Sequence, residues 1–357
     1  MRVLTLLASV AIAAVMLTMG IAAQGPPRGG APAAPATPAA PCVQAGNTQY
    51  VCDQVSPEDL VLVPGGEWVV STVYARPGGV RLISVRDKST TTAYPSATAK
   101  DQFDNQTYGT CPGAPSAGMK ENMQTHGAAI REGRNNQHTL YVVHHGTRES
   151  IEVFQMNTGV RPPALTWIGC VVAPDPIGLN EVLPLADGGF ISTDFMARGI
   201  DAGARGRAMA GENNGALYEW HTGKGWAKIA GSEASAPNGL EISKDGKTLY
   251  VATWGDQGFF RLSLGQNPPK RDNVKLGFRA DNVRWSPDGQ LFVTGQVLDQ
   301  PASTRIVKIH PETLKVTEVL NRPNTPEFSN GTVTVQIGKE LWVGTFRGDR
   351  LLVVPAP

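Results

Sequence analysis

Six times along the sequence, a polar or glycine-rich turn is followed at once by a short apolar run. The first large apolar residues of these units are Trp68, Leu140, Phe190, Leu249, Leu291 and Leu341. They are separated by 72, 50, 59, 42 and 50 residues, a repeat length typical of the blades of a β-propeller. Asp-Gly and Gly-Gly dipeptides between the apolar runs indicate tight hairpins. We therefore predict an all-β fold, a six-bladed β-propeller with a central tunnel, in preference to a two-sheet sandwich.

The sequence before the repeats has two segments of different character. Met1-Arg2 leads into a long uncharged apolar run, so we predict that residues 1–23 are a signal peptide. The run is also long enough to remain as an uncleaved membrane anchor. Residues 24–41 are rich in Ala and Pro and are predicted to be a disordered linker. The propeller is predicted to span residues 42–357.

Four cysteines in an exported chain indicate disulfides and an oxidising compartment, periplasmic or extracellular. Of the three pairings, Cys42 with Cys52 and Cys111 with Cys170 is preferred, since the first pair lies close along the chain. Free buried thiols are the alternative. No pair has C-x-x-C spacing, which argues against a zinc or dithiol redox site.

The balance of charge limits the expected partners. With 32 basic and 31 acidic residues the formal net charge is +1, and no basic cluster is interleaved with aromatic residues. We therefore expect no nucleic-acid partner. Membrane contact is expected only if the N-terminal segment is uncleaved. The sequence has neither a P-loop nor a Gly-x-Ser-x-Gly motif, which disfavours a nucleotide site and a serine hydrolase.

Oxygen-bearing side chains recur at one position relative to the six apolar runs. These residues are Glu58, Asn180, Asn238, Asp281 and Asn282. Four of them stand 9 to 11 residues before the apolar marker of their repeat, and Asp281 adjoins Asn282. Equivalent positions in successive blades point toward one axis, so we expect these side chains to converge. Two acids and three amides suit calcium better than zinc or copper. The alternative is that each residue only caps a turn.

Several segments along the chain also match a known pattern in their order and spacing. They are Glu58-Asp59-Leu60, Thr125-His126-Gly127, Leu140-Tyr141-Val142-Val143-His144-His145, Ile151-Glu152-Val153-Phe154, Leu179-Asn180-Glu181, Asn238-Gly239, Ser243-Lys244-Asp245-Gly246 and Asp281-Asn282-Val283. In these segments the chain resembles the paraoxonase/arylesterase branch of six-bladed calcium-dependent propellers. More distantly, it resembles the gluconolactonase/regucalcin and strictosidine synthase families. The resemblance runs from about Ser56 to Val354.

The resemblance implies two calcium ions in the tunnel. The upper, catalytic ion would be held by the five oxygen-bearing residues above. A deeper, structural ion would use Asp59, Glu181 and the backbone carbonyl near Ala128. The chain departs from the family in having Glu181 where the family has aspartate. It also lacks a second cysteine for the family's N-terminal to C-terminal disulfide, since no cysteine follows Cys170.

The predicted function is exported, calcium-dependent hydrolysis of small lactones or aryl esters. Calcium would polarise the substrate carbonyl, and water would be the nucleophile. His126, which lies 14 residues before Leu140, would be the general base, and His145 would orient it or relay the proton. A carboxylate on the calcium could replace the base, and purely structural roles for both histidines remain the alternative. The other functions considered are a gluconolactonase-like sugar-lactone hydrolase and a non-catalytic binding propeller.

Overall fold

A computed structural model of the chain describes residues 42–44, 48–199 and 203–357. Within these ranges nearly all secondary structure is β, and the strands form six sheets arranged as a ring. The predicted all-β, six-bladed propeller is confirmed. The predicted signal peptide and linker, residues 1–23 and 24–41, lie outside the described residues.

Each blade is one sheet, and the strands run outward from the tunnel in chain order. The first strand along the chain, β1 (Gln49–Val51), is the outermost strand of blade six. Blade one contains β2 (Pro57–Leu62), β3 (Trp68–Val73), β4 (Val80–Ser84) and β5 (Thr90–Tyr94). Blade two has β6 (Lys100–Asp101) at its outer edge, and then β7 (Gln124–Arg131), β8 (Gln137–His145), β9 (Ser150–Asn157) and β10 (Ala164–Val172). Blade three contains β11 (Leu179–Pro184), β12 (Phe190–Asp194), β13 (Ala216–His221) and β14 (Gly225–Lys228).

The second half of the ring follows the same plan. Blade four contains β15 (Pro237–Ile242), β16 (Thr248–Thr253), β17 (Gly258–Ser263) and β18 (Arg271–Lys275). Blade five contains β19 (Arg279–Trp285), β20 (Leu291–Val297), β21 (Ser303–Ile309) and β22 (Val316–Pro323). Blade six contains β23 (Gly331–Ile337), β24 (Glu340–Thr345), β25 (Leu351–Pro355) and β1. The described loops contain three short helices, α1 (Asn105–Tyr108), α2 (Ala117–Glu121) and α3 (Ala204–Met209). No helix in the described ranges has both the length and the apolar character needed to cross a membrane.

Hydrogen bonds between the two ends of the propeller close the ring. Strand β1 pairs antiparallel with β25, with Tyr50 opposite Leu352. Closure therefore uses backbone pairing and not a disulfide between the two ends. The disulfides are local, Cys42–Cys52 next to β1 and Cys111–Cys170 between the loop after α1 and β10. Both predicted pairings are confirmed, and two disulfides favour an oxidising, exported location.

The apolar core lies between the faces of neighbouring blades. In β8 the run from Leu140 to Val143 is fully buried, because this sheet is covered on both faces. Strands buried on both faces read as continuous apolar runs and do not alternate with polar residues. This packing explains why the six apolar runs were visible in the sequence.

Every innermost strand carries a β-bulge at the same place near its start. The bulged pairs are Glu58-Asp59, His126-Gly127, Asn180-Glu181, Asn238-Gly239, Asp281-Asn282 and Thr332-Val333. A bulge adds one residue to a strand and changes the direction of its side chains. The repeated bulge is therefore what brings polar side chains from different blades to one level of the tunnel.

Two glycines let the innermost strands approach each other closely at this level. A Cβ atom on Gly127 would lie 2.4 Å from the carbonyl oxygen of Asn180 in the next blade. A Cβ on Gly239 would lie 2.4 Å from the backbone nitrogen of Val283. Carbon atoms cannot come this close to backbone atoms, so glycine is required at the second bulge position of blades two and four.

Candidate metal and catalytic site

Five predicted ligand residues lie together at the bulge level, and we call them the oxygen ring. They are Glu58, Asn180, Asn238, Asp281 and Asn282. Each has an exposure of only 1 to 5%. They come from the innermost strands of blades one, three, four and five, as the shared phase of the repeat predicted.

Direct contacts tie the oxygen ring together. The Asn282 amide Nδ2 donates a hydrogen bond to Glu58 Oε1 at 3.1 Å. His126 Nε2 lies 3.6 Å from the same Glu58 oxygen and 3.3 Å from Asn180 Nδ2. His126 thus bridges the carboxylate of blade one and the amide of blade three.

Gln296, on β20, fixes the orientation of the second carboxylate. Its Nε2 donates to Asp281 Oδ2 at 2.6 Å and to the Gly331 carbonyl at 2.8 Å. Its own oxygen accepts a hydrogen bond from the indole of Trp254 at 3.1 Å. Because both ends of the Gln296 amide are held, the Asp281 carboxylate keeps one orientation toward the ring.

The oxygen ring contains acceptors that lack donors. Within the described residues, no hydrogen-bond donor reaches Glu58 Oε2 or the Oδ1 atoms of Asn180, Asn238 and Asn282, although all four atoms are buried. A buried acceptor without a partner costs about 1–3 kcal/mol, and four at one level of the tunnel would be costly. A hard cation would satisfy all four at once. The residues present therefore fit a calcium ion.

The electrostatics of the ring also favour a cation. Burial raises the pKa of Glu58 to about 7. Burial raises the pKa of Asp281 as well, and the Glu58 charge raises it further. A divalent ion among these oxygens would stabilise both ionised carboxylates. The described residues contain no group of three or more His, Cys, Asp or Glu side chains arranged for a metal. The oxygen ring is not such a group, because three of its five side chains are amides.

A chain of hydrogen bonds, which we call the histidine relay, leads from the oxygen ring to a buried carboxylate. His126 Nδ1 lies 3.0 Å from His145 Nε2, and His145 Nδ1 lies 2.9 Å from Glu149 Oε2. Glu149 Oε1 accepts a hydrogen bond from the Leu179 amide at 2.7 Å. One arrangement of protons satisfies each hydrogen bond of the relay: each Nδ1 carries hydrogen, and His126 Nε2 presents a lone pair at the ring, where it accepts from Asn180 Nδ2.

The surroundings of the relay favour the neutral form of its imidazoles. Burial lowers the pKa of His126 to about 4 and lowers the pKa of His145. The Tyr74 ring packs at 4.4 Å from the His126 ring, centroid to centroid. His144 is next to His145 in β8, so its side chain points to the opposite face of the strand, where it is fully buried.

A cavity of about 540 Å³ opens onto the oxygen ring and the histidine relay. Glu58, Asn180, Asn238, Asp281, His126, His145 and Glu149 all line it. An aromatic wall, which we define as Tyr74, Phe195, Trp254 and Phe346, lines it too. The volume and the mix of apolar and polar walls are those of a small-molecule site.

The residues expected to hold a second ion surround an arginine. Arg284 Nη2 donates to both carboxylate oxygens of Asp59, at 2.6 and 2.5 Å, and lies 3.3 Å from the Ala128 carbonyl oxygen. Its Nη1 donates to Glu181 Oε2 at 3.1 Å. We call Arg284, Asp59, Glu181 and Ala128 the arginine cluster. Burial raises the pKa of Asp59 to about 6, while the Arg284 charge opposes that rise.

Sequence reasoning missed four residues at this level of the tunnel. They are Glu149, Gln296, Arg284 and Thr332. Thr332 stands nine residues before Leu341, so the phase argument could have found it. Its hydroxyl donates to the Glu58 carbonyl at 2.6 Å and so supports the ring through the backbone. The other three act through long side chains whose reach has no signal in the repeat.

Comparison with known proteins supports the fold and no closer relationship. No protein-family profile matches the chain, and no curated protein matches its sequence. Among solved structures, a luciferin-regenerating enzyme has 13% identity and a TM-score of 0.54, with 85% of this chain and 92% of that chain covered. A protein named as a gluconolactonase has 14% identity and a TM-score of 0.51, with 87% and 92% covered.

A third solved structure with the same fold is virginiamycin B lyase from Staphylococcus aureus, a catalytically inactive variant with quinupristin. It has 12% identity and a TM-score of 0.51, with 87% of this chain and 99% of that chain covered. At these identities the likeness concerns the fold alone. The fold and site together define the class as a six-bladed β-propeller with a polar site at the mouth of its tunnel.

Proposed function

We propose that this protein is a calcium-dependent hydrolase of small lactones or aryl esters that acts outside the cytoplasm. One observation carries the proposal: four buried oxygens that have no donor among the described residues lie at the end of the histidine relay, where His126 Nε2 presents its lone pair. The first feature fits an electrophilic metal, and the second fits a base that deprotonates water. Both line the same cavity.

In this proposal the calcium ion would be held by the oxygen ring, Glu58, Asn180, Asn238, Asp281 and Asn282. When bound, calcium supplies positive charge that polarises the substrate carbonyl and stabilises the negative oxygen that forms during attack.

The histidine relay performs the proton transfers. His126 Nε2 removes a proton from a water molecule as the water oxygen bonds to the carbonyl carbon. Glu149 holds the proton of His145 Nδ1, which leaves His145 Nε2 free to accept from His126 Nδ1 and fixes the His126 ring. The His126 imidazolium then returns the proton to the leaving oxygen as the carbon–oxygen bond breaks. A lone pair already aimed at the ring lowers the reorganisation that this step requires.

The aromatic wall supports an aryl or lipophilic substrate. Flat rings would pack against the parts of its side chains that line the cavity. They would lie beside Arg205 and Arg347, whose guanidinium groups are 4.7 Å from the Trp254 ring and 5.3 Å from the Phe346 ring. Sugar-lactone hydrolysis is the second candidate, because one solved structure with this fold is named as a gluconolactonase. The two candidates differ in the substrate that the cavity walls accept.

The test is a hydrolysis panel on the purified protein. It would contain aryl esters, aliphatic five- and six-membered lactones and glucono-δ-lactone, each assayed with calcium chloride and with the chelator EGTA. We expect turnover of aryl esters or lipophilic lactones that is lost in EGTA and restored by added calcium.

Each other outcome has a separate meaning. Full turnover in EGTA contradicts the calcium mechanism. Turnover of the sugar lactone alone favours the second candidate. Calcium binding without turnover of any substrate indicates a non-catalytic binding propeller. If activity disappears in Asn238→Ala but persists in His126→Ala, the metal role stands and a ligand carboxylate replaces His126 as the base.

A further inference from the structure

We propose that Arg284 is a built-in cation that takes the place of a second metal ion in the tunnel. The residues that a deeper ion would use, Asp59, Glu181 and the Ala128 carbonyl, all contact this one guanidinium. The proposal concerns metal content and stability, and it does not depend on the proposed catalysis.

The guanidinium of Arg284 crosses the tunnel and links four blades. Arg284 lies on β19 in blade five. Its side chain contacts the Leu60 carbonyl and Asp59 in blade one, the Ala128 carbonyl in blade two and Glu181 in blade three. Only 11% of the Arg284 side chain is exposed, and the Asp59 and Glu181 side chains are fully buried. The guanidinium in this position binds residues of several blades at once, as a metal ion would.

Every hydrogen-bonding group in the arginine cluster has a partner. The five N–H groups of Arg284 have five acceptors: Asp59, Glu181 and the carbonyls of Leu60, Ala128 and Val283. The remaining carboxylate oxygens are also satisfied, since Asp59 accepts from the Leu60 and Ala128 amides and Glu181 from the Val182 amide. None of these oxygens is left for a metal.

The charges of the cluster make a cation necessary there. Asp59 and Glu181 are buried carboxylates, and Glu241 from blade four adds to their field at Arg284. Two buried carboxylates without a counter-charge would be strongly destabilising. Because arginine stays protonated, its charge is present at any calcium concentration. A covalently attached cation therefore makes this part of the tunnel independent of metal supply.

The test counts calcium ions per chain by isothermal titration with calcium chloride and by elemental analysis of the purified protein. The unmodified chain should bind one ion. Arg284→Ala should bind two, because it leaves Asp59, Glu181 and the Ala128 carbonyl without their cation. Its melting temperature should also become much more dependent on calcium. Arg284→Lys keeps a charge in the cluster and should still bind one ion.

A second pair of variants separates this proposal from the proposed function. Glu58→Gln/Asp281→Asn neutralises the oxygen ring and should bind no ion, while the same changes combined with Arg284→Ala should bind one. If the oxygen ring binds no calcium at all, the counts of the unmodified chain, Arg284→Lys and Arg284→Ala each fall by one and those of the ring-neutralised variants stay the same. Arg284→Ala still gains one ion relative to the unmodified chain. Arg261→Ala, which removes an arginine paired with Asp272 on the outer strands of blade four, controls for loss of any arginine.

Two results would overturn the proposal. One is an unchanged ion count and unchanged calcium dependence in folded Arg284→Ala. The other is one bound ion in Glu58→Gln/Asp281→Asn, where Arg284 is intact. The second result can be obtained even if Arg284→Ala does not fold, so the proposal is tested in either case.

Discussion

The oxygen ring and the arginine cluster are built from neighbouring residues of the same bulges, yet their chemistry is opposite. In blade one Glu58 belongs to the ring and Asp59 to the cluster, and in blade three Asn180 and Glu181 divide in the same way. In the part of the chain that the structure describes, four buried oxygens of the ring have no hydrogen-bond donor, whereas every carboxylate oxygen of the cluster has one.

This difference teaches that convergence of polar side chains does not by itself predict a metal. The repeated bulge brings oxygens together at both levels. What separates the two is whether the protein supplies the opposing charge from its own chain. A single arginine contacts both carboxylates of the cluster, whereas the ring carboxylates Glu58 and Asp281 accept hydrogen bonds from the neutral amides of Asn282 and Gln296.

The largest expected effect comes from removing a ring ligand. Asn238→Ala deletes one of the oxygens without a donor, and we expect kcat/KM to fall about 10³-fold, as when an electrostatic stabiliser is lost from an active site. Asn273→Ala changes an exposed amide on β18 of the same blade and should keep full activity. Steady-state kinetics on the best substrate of the panel measures both. Equal activity of the two variants would remove the ring from the mechanism.

A smaller loss is expected from the base of the histidine relay. His126→Gln should lower kcat by about 10²- to 10³-fold, because a glutamine side chain cannot accept a proton from water. Calcium affinity should change little, since His126 is not a ring ligand in our proposal. His221→Gln alters an imidazole paired with Asp187 outside the cavity lining and serves as the control. A large loss of calcium affinity with unchanged kcat would instead make His126 part of the metal site.

The third residue of the relay should matter less than the base itself. Glu149→Gln keeps a group that can hydrogen-bond His145 Nδ1 and the Leu179 amide but removes the negative charge. We expect kcat to fall about 10-fold with little change in KM, as for other groups that orient a functional residue. If kcat in Glu149→Gln equals that of the unmodified protein, proton transfer by His126 does not depend on the rest of the relay.

The smallest expected effect is on the stability of the propeller in chelator. Emptying a site that was saturated at 100 times its Kd costs about 2.7 kcal/mol, which lowers the melting temperature by only several degrees in a domain of this size. The arginine cluster should keep the tunnel assembled. Circular dichroism in EGTA should therefore show a folded β-protein at 25 °C. Unfolding of the unmodified protein by chelator alone would show that metal supports both levels.

The fold and the oxygen ring could be predicted because both follow from periodicity. The apolar runs repeat with the blades, and ring residues keep a spacing of 9 to 11 residues because each bulge precedes a short hairpin. His126 fell outside that spacing because β7 and β8 have 8 and 9 residues, so Leu140 is well inside β8, whereas Trp68, Phe190 and Leu291 each begin their strand.

The residues that could not be predicted act across distances that the sequence does not encode. Arg284 follows Asn282 by two residues, but its guanidinium meets groups from three other blades. Glu149 reaches His145 only because a turn joins β8 to β9. Such contacts depend on the rotamers of long side chains in a closed ring, and no local pattern specifies them.

The pairing of β1 with β25 has a consequence for synthesis. Blade six takes its outermost strand from one end of the propeller and its three other strands from the opposite end. During translation, β1 waits without a partner until β25 has left the ribosome, and the unfinished ring exposes open strand edges that invite association with other chains. Protection of the nascent polypeptide, by chaperones or by translocation in an unfolded state, is therefore a requirement built into the topology.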